Sequence, residues 1–224
     1  MEIERGIHTI PRVIGANTYL VKNDEGITVI DTGLPGNAGR IVDYAESIGC
    51  HRSDVKTIVI THPDMDHAGS AGQLKQRTDA RVAIHETDAP RLSGEKEWKT
   101  VSGVLGVFFR VTSPVMMFNR VKADVLLNDS DIVNGLTVIH TPGHTEGSIC
   151  LYLPGHAVFV GDVLVTDDEG MPSLPRRSMS VDMNLAKESV TKISRLDYSL
   201  LLPGHGLPIR QNASTVMKEF VAGF

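Results

Sequence analysis

Residues 61–67 read Thr61-His62-Pro63-Asp64-Met65-Asp66-His67, so two histidines and two carboxylates fall within six consecutive positions. They follow Thr57-Ile58-Val59-Ile60, an unbroken apolar run rich in β-branched residues, which predicts a buried strand. Behind them, residues 68–76 predict a helix. Four ionisable side chains between a strand and a helix suit a metal site, because a rigid scaffold delivers short polar groups to one point. Imidazole and carboxylate donors accept zinc, iron or manganese. The competing reading is a solvated acidic turn with two incidental histidines.

Three later positions argue against that bland alternative. His144 lies in Thr141-Pro142-Gly143-His144-Thr145-Glu146-Gly147-Ser148, just after the strand-like Leu136-Thr137-Val138-Ile139. Asp162 closes Val158-Phe159-Val160-Gly161-Asp162, and His205 sits in Leu201-Leu202-Pro203-Gly204-His205-Gly206. Each stands at the carboxyl end of an apolar run, beside a glycine that allows the backbone to approach a ligand closely. One such residue would more often be an ordinary strand-end side chain. Three placed alike are harder to explain that way.

The ordered series H-x-D-x-D-H, then His144, Asp162 and His205, resembles the metallo-β-lactamase superfamily. Asp31, in Val29-Ile30-Asp31-Thr32-Gly33, matches that family's supporting aspartate. Residues 141–148 and the Gly161-Asp162 pair are similar to the glyoxalase II branch. One position departs from the common pattern: Asp64 stands where most members carry histidine, a variant similar to that of some hydrolases and nuclease-like domains. The resemblance implies an α+β fold, a four-layer αββα sandwich with the ligands gathered at one edge. It also implies that His62, Asp64 and His144 hold one divalent ion, that Asp66, His67 and His205 hold a second, and that Asp162 bridges them. Asp66 would be the catalytic residue that orients a metal-bound hydroxide, and Asp31 and Thr61 would steer the histidines. For Asp31 and Thr61 a strand-end cap and a plain strand hydroxyl compete nearly equally. Zinc ranks first; manganese or iron gain because Asp64 adds a harder oxygen donor and a negative charge.

The implied activity is a metal-dependent hydrolase of a small ester, thioester or lactone. The alternatives are a phosphodiesterase or nuclease, and a mononuclear iron dioxygenase of the same fold. A net charge of −5 without a basic stripe argues against a nucleic-acid partner, so a small-molecule substrate is expected. No run is long enough to cross a bilayer and residues 1–5 carry no apolar signal region, which points to the cytoplasm. Cys50 and Cys150 are the only cysteines and are expected as free thiols.

The length of 224 residues with 41% hydrophobic content predicts one domain over 1–224. Further strands are predicted at 18–22, 27–31, 81–84, 136–140, 148–153, 157–160 and 199–202. Helices are predicted at 38–48, with Gly49 as C-terminal cap, at 181–195, with Ser180 as N-cap, and at 213–221. Residues 87–122 are irregular and apolar, with Phe108, Phe109, Met116, Met117 and Phe118. They read as a cap over the metal cleft, in competition with a buried helical insert or a homodimer contact.

Overall fold

The computed structural model describes residues 1–96 and 120–224, and the chain divides into two compact units, Met1–Leu126 and Leu127–Phe224. The aromatic and methionine run at 108–118, read above as a cap, lies outside the described residues.

In the first unit a seven-stranded sheet runs in chain order: β1 (Glu2–Glu4), β2 (Ile7–Thr9), β3 (Tyr19–Asn23), β4 (Gly26–Ile30), β5 (Val55–Val59), β6 (Arg81–His85) and β7 (Val125–Leu127). Strands β1 to β4 pair antiparallel, whereas β4, β5 and β6 pair parallel. Parallel neighbours need crossovers. Helix α1 (Ala38–Ser47) supplies the first, and α2 (Met65–Ala68) with α3 (Ala71–Thr78) supplies the second. Ile58, Ile60, Val82 and Ile84 form a core with Ile41, Ala45 and Leu74 of the helices. Val59 and Ala83, pointing the other way, are buried too. Burial on both faces explains why residues 57–60 show no alternation. Gly49 closes α1 with a φ of 78°, its N–H reaching the Glu46 carbonyl and that of Cys50 the Ala45 carbonyl.

The single helix expected at 68–76 is two short pieces instead. Ser70 breaks it by directing its hydrogen bonds elsewhere. Its N–H goes to Thr32 Oγ1 and its hydroxyl to the Leu34 carbonyl, both in the loop after β4. A further short helix, α4 (Ala89–Ser93), follows β6.

In the second unit a five-stranded sheet has the order β14 (Leu200–Pro203), β11 (Ala157–Gly161), β10 (Ile149–Leu153), β9 (Leu136–His140), β8 (Ile132–Val133). In this sheet the β11–β14 pair is parallel and the others are antiparallel. A two-stranded ribbon, β12 (Val165–Thr166) with β13 (Pro172–Ser173), stands beside it in sequence. Helices α5 (Met183–Ser194) and α6 (Ala213–Val221) share a core with the sheet through Val158, Val160, Val190, Ile193, Leu201 and Met217. The cap of α5 is Asp182, not Ser180. Asp182 Oδ1 accepts from the N–H groups of Asn184 and Leu185, while the Ser180 hydroxyl turns back to the Arg176 carbonyl.

Candidate metal centre

Every candidate ligand sits just beyond a strand end or on the turn that follows it. In the first unit β5 delivers His62, and α2 carries Asp66 and His67 in its single turn. Asp31 leaves β4 with a φ of 57°, a left-handed backbone that aspartate tolerates better than most residues. That turn points its carboxylate at three donors. Oδ1 accepts the Thr61 N–H at 2.8 Å, and Oδ2 accepts the Thr61 hydroxyl and His67 Nδ1, each at 2.8 Å. Because a carboxylate only accepts, the Thr61 hydrogen is committed to Asp31. Its oxygen therefore accepts from His62 Nδ1 at 3.1 Å. One buried carboxylate thus fixes both imidazoles with a proton on Nδ1, which leaves Nε2 as the nitrogen a metal ion would take. The two rings lie 4.0 Å apart between centroids, and His62 Nε2 stands 3.7 Å from Asp64 Oδ2. Both histidines are buried, while Asp64 and Asp66 are half-buried. Asp31 and Thr61 are therefore neither a mere strand-end cap nor an idle hydroxyl.

In the second unit Asp162 directly follows β11, and His144 and His205 come from the loops after β9 and β14. Asp162 Oδ2 lies 3.8 Å from His144 Nε2 and 3.6 Å from His205 Nε2, so one carboxylate faces two imidazoles from separate loops. The His144 loop lies tight against α5. Gly143 has a φ of 137°, and a Cβ there would collide with the backbone of Ala186. Thr145 and Ser148 brace the same loop, the Thr145 N–H donating to Ser148 Oγ at 3.0 Å and the two hydroxyls meeting at 2.7 Å. Sequence reasoning passed over this pair, although two short hydroxyl residues flanking a glycine turn are a usable signal.

The donor spacing bears on what the sites can hold. Hydrogen bonds from nitrogen to oxygen span about 2.7–3.2 Å. Two donors on one tetrahedral zinc, each about 2.0–2.2 Å from the ion, stand roughly 3.4 Å apart. The imidazole–carboxylate pairs at 3.6–3.8 Å are too long for the first and close to the second. Imidazoles facing carboxylates, with the outer nitrogens of His62 and His67 anchored on Thr61 and Asp31, fit a divalent cation.

The family model of the metallo-beta-lactamase superfamily matches residues 11–205. A probable metallo-hydrolase of Bacillus subtilis (strain 168), YflN, is 28% identical, the alignment covering 93% of this chain and 86% of that protein. The acyl-coenzyme A thioesterase MBLAC2 of Homo sapiens is 30% identical over 85% of this chain and 72% of its own length. Among solved structures, a metallo-beta-lactamase family protein from Thermus thermophilus matches with a TM-score of 0.74 at 22% identity, covering 99% of this chain and 80% of that one. A beta-lactamase from Chitinophaga pinensis matches at 0.73 and 20%, covering 100% and 89%. The chain belongs to the metallo-beta-lactamase superfamily and has its α+β fold. It is a hydrolase.

Proposed function

We propose that the chain is a dinuclear metal-dependent hydrolase of a small acyl ester, thioester or lactone, with the thioester first. In this reading His62, Asp64 and His144 hold one divalent ion, Asp66, His67 and His205 hold the other, and Asp162 contacts both. Zinc is the leading candidate, with manganese or iron favoured in so far as Asp64 supplies a hard oxygen. Bound divalent ions supply Lewis acidity and lower a water pKa from about 15.7 toward roughly 7. The residues of the chain do the rest. Asp31, directly and through Thr61, holds His67 and His62 by Nδ1 and leaves Nε2 as the nitrogen turned toward an ion. Asp66 accepts a hydrogen bond from the attacking water and sets its line of approach to the acyl carbon.

The observation that carries this reading is Asp162, whose single oxygen Oδ2 faces His144 and His205 at similar distances beyond hydrogen-bond range. The thioester preference draws on the similarity to the human acyl-coenzyme A thioesterase MBLAC2, at 30% identity. Net charge of −5 supports a small molecule over nucleic acid. Cys50 and Cys150 are both buried free thiols, and burial pushes Cys150 up to about 12, so it packs and does not react. Such thiols support a reducing compartment, for which the cytoplasm is the proposal. Among the described residues no helix is long and apolar enough to cross a membrane.

The test is reconstitution with zinc, elemental analysis, and a panel of acyl thioesters, esters, lactones and phosphodiesters. Two ions per chain with turnover of an acyl substrate is the expected result. No retained transition metal, or turnover confined to phosphodiesters, overturns the proposal.

A further inference from the structure

The two histidines that face Asp162 are held in different ways. The His144 loop is braced from several sides. Its backbone accepts from Val181 and Asp182, the Ser189 hydroxyl donates to the Pro142 carbonyl at 2.7 Å, and Thr145 and Ser148 close it internally. The His144 side chain is 2% exposed.

The His205 side chain is 38% exposed, and its loop, closed at its base by the Leu201–Ile209 pair, is held at the tip chiefly by Thr166 of the ribbon that follows Asp162. The Thr166 N–H donates to the His205 carbonyl at 3.1 Å. Its hydroxyl lies 2.6 Å from the Leu207 carbonyl, the bond it makes, and 3.4 Å from that of His205. Gly206 between them has a φ of 90°, and a Cβ there would collide with the Thr166 carbonyl oxygen. The Leu207 N–H returns a long bond of 3.4 Å to the Asp167 carbonyl, and the Gly204 N–H holds the loop's other end to Gly161.

We propose that Thr166 is a positioning residue that sets the aim of His205 toward Asp162, acting through the Leu207 and His205 carbonyls and touching no ligand atom. The inference rests on the metal-dependent reading above and adds an asymmetry to it. A chain without the Thr166 hydroxyl keeps the backbone bond to His205 but leaves the Leu207 side of the loop on the long bond to Asp167 alone. The exposed imidazole of His205 then loses its fixed direction, whereas His144 keeps its own braces. The ion assigned to Asp66, His67 and His205 should weaken, and the ion assigned to His62, Asp64 and His144 should stay.

The experiment titrates metal-free protein with zinc against a chelating competitor and repeats the titration with cobalt(II), whose visible spectrum reports each filled site. Wild type should take up two ions. Thr166→Val, close in shape without the hydroxyl, should keep one affinity and lose about 10- to 100-fold in the other, the usual range for a group one step behind a ligand. Thr166→Ser restores the hydroxyl and should restore both affinities. Thr191→Val is the control, because that hydroxyl bonds the Lys187 carbonyl within α5. Should the valine variant fail to fold, Thr166→Ala answers the same question. Two ions at wild-type affinities in the folded Val or Ala variant overturn the assignment of Thr166. A wild-type protein that takes up no second ion overturns the metal reading itself, and the inference with it.

Discussion

The first unit and the second unit anchor their histidines by opposite means. In the first, His62 and His67 share a single anchor, the carboxylate of Asp31, and both come from one stretch of seven residues. In the second, His144 and His205 arrive on separate loops, each with its own set of hydrogen bonds, and meet only in front of Asp162. A shared anchor makes two side chains depend on one residue. Separate anchors let one histidine weaken while the other holds. Substitutions at the shared anchor of the first unit should therefore disturb both ions together, and loop substitutions in the second should disturb them singly.

The largest effect should come from Asp162→Ala, which removes the group both second-unit histidines face. Metal analysis should show both ions weakened, and activity should fall by more than about 100-fold, beyond the range of second-layer changes. Loss of only one ion, as expected for His205→Ala, would show that Asp162 serves a single site.

Next comes Asp31→Asn. Asparagine tolerates the left-handed backbone at residue 31, so the turn should survive. The amide offers one accepting oxygen and an NH2 donor, so at least one of the bonds from Thr61 or His67 must go. Affinity for both ions should drop by about 10- to 100-fold, with a folded far-ultraviolet spectrum retained. An effect on His67 alone, seen as one ion lost in a cobalt titration, would break the shared-anchor picture.

Asp64 gives a subtler result. If its carboxylate is a ligand, Asp64→His should keep both ions and shift preference from manganese toward zinc. Asp64→Ala should weaken the ion assigned to His62 and His144. Unchanged occupancy and preference in both variants would remove Asp64 from the ligand set.

The two units also repeat one electrostatic device. Lys75 of α3 meets Asp124 at 2.6 Å, and Lys192 of α5 meets Asp129 at 2.9 Å. Burial alone would raise both carboxyls. The N–H groups of Val82 and His140 together with the two ammonium groups outweigh it and hold both below the ordinary value of 3.8. A depressed carboxyl stabilises the fold above its unfolded pKa, and that contribution disappears as pH falls through the lower folded value. Unfolding midpoints measured below about pH 4 should therefore fall less steeply in Lys75→Met and Lys192→Met than in wild type. Equal acid slopes would deny these pairs a role, and the exposure of all four groups keeps the effect modest.

The smallest effect is expected from Asp182→Ala at the α5 cap, about 1 kcal/mol, or roughly 2–4 °C in Tm for a chain of this size. Ser180→Ala should do less, since its hydroxyl does not cap the helix.

Much of this was legible in the residues. The strand-then-ligand rhythm at His62, His144, Asp162 and His205 marks where side chains leave the sheets, and residues 136–140 and 213–221 matched the expected strand and helix. The missed features rest on single side-chain hydrogen bonds, some local and some distant, and not on periodicity. Ser70 splits a helix by bonding to Thr32 and Leu34, and Asp182 outcompetes Ser180 as a cap because only its side chain reaches the free N–H groups. The brace of Thr166 on Leu207 spans 41 positions of chain. Local periodicity carries no trace of partners that distant. Strands β1 and β2, three residues each, are too short for an alternating pattern to appear.

Asp31 limits how this protein can change. Its backbone angle admits few residues other than glycine, asparagine and aspartate, and among these only aspartate accepts at two oxygens. Glutamate keeps the charge but meets the backbone penalty, and glycine keeps the turn but loses the anchor. Nearly every single-codon step away from this residue should thus be closed. A laboratory selection for new metal preference would have to find its variants at positions such as 64 or 166, with residue 31 standing still beneath them.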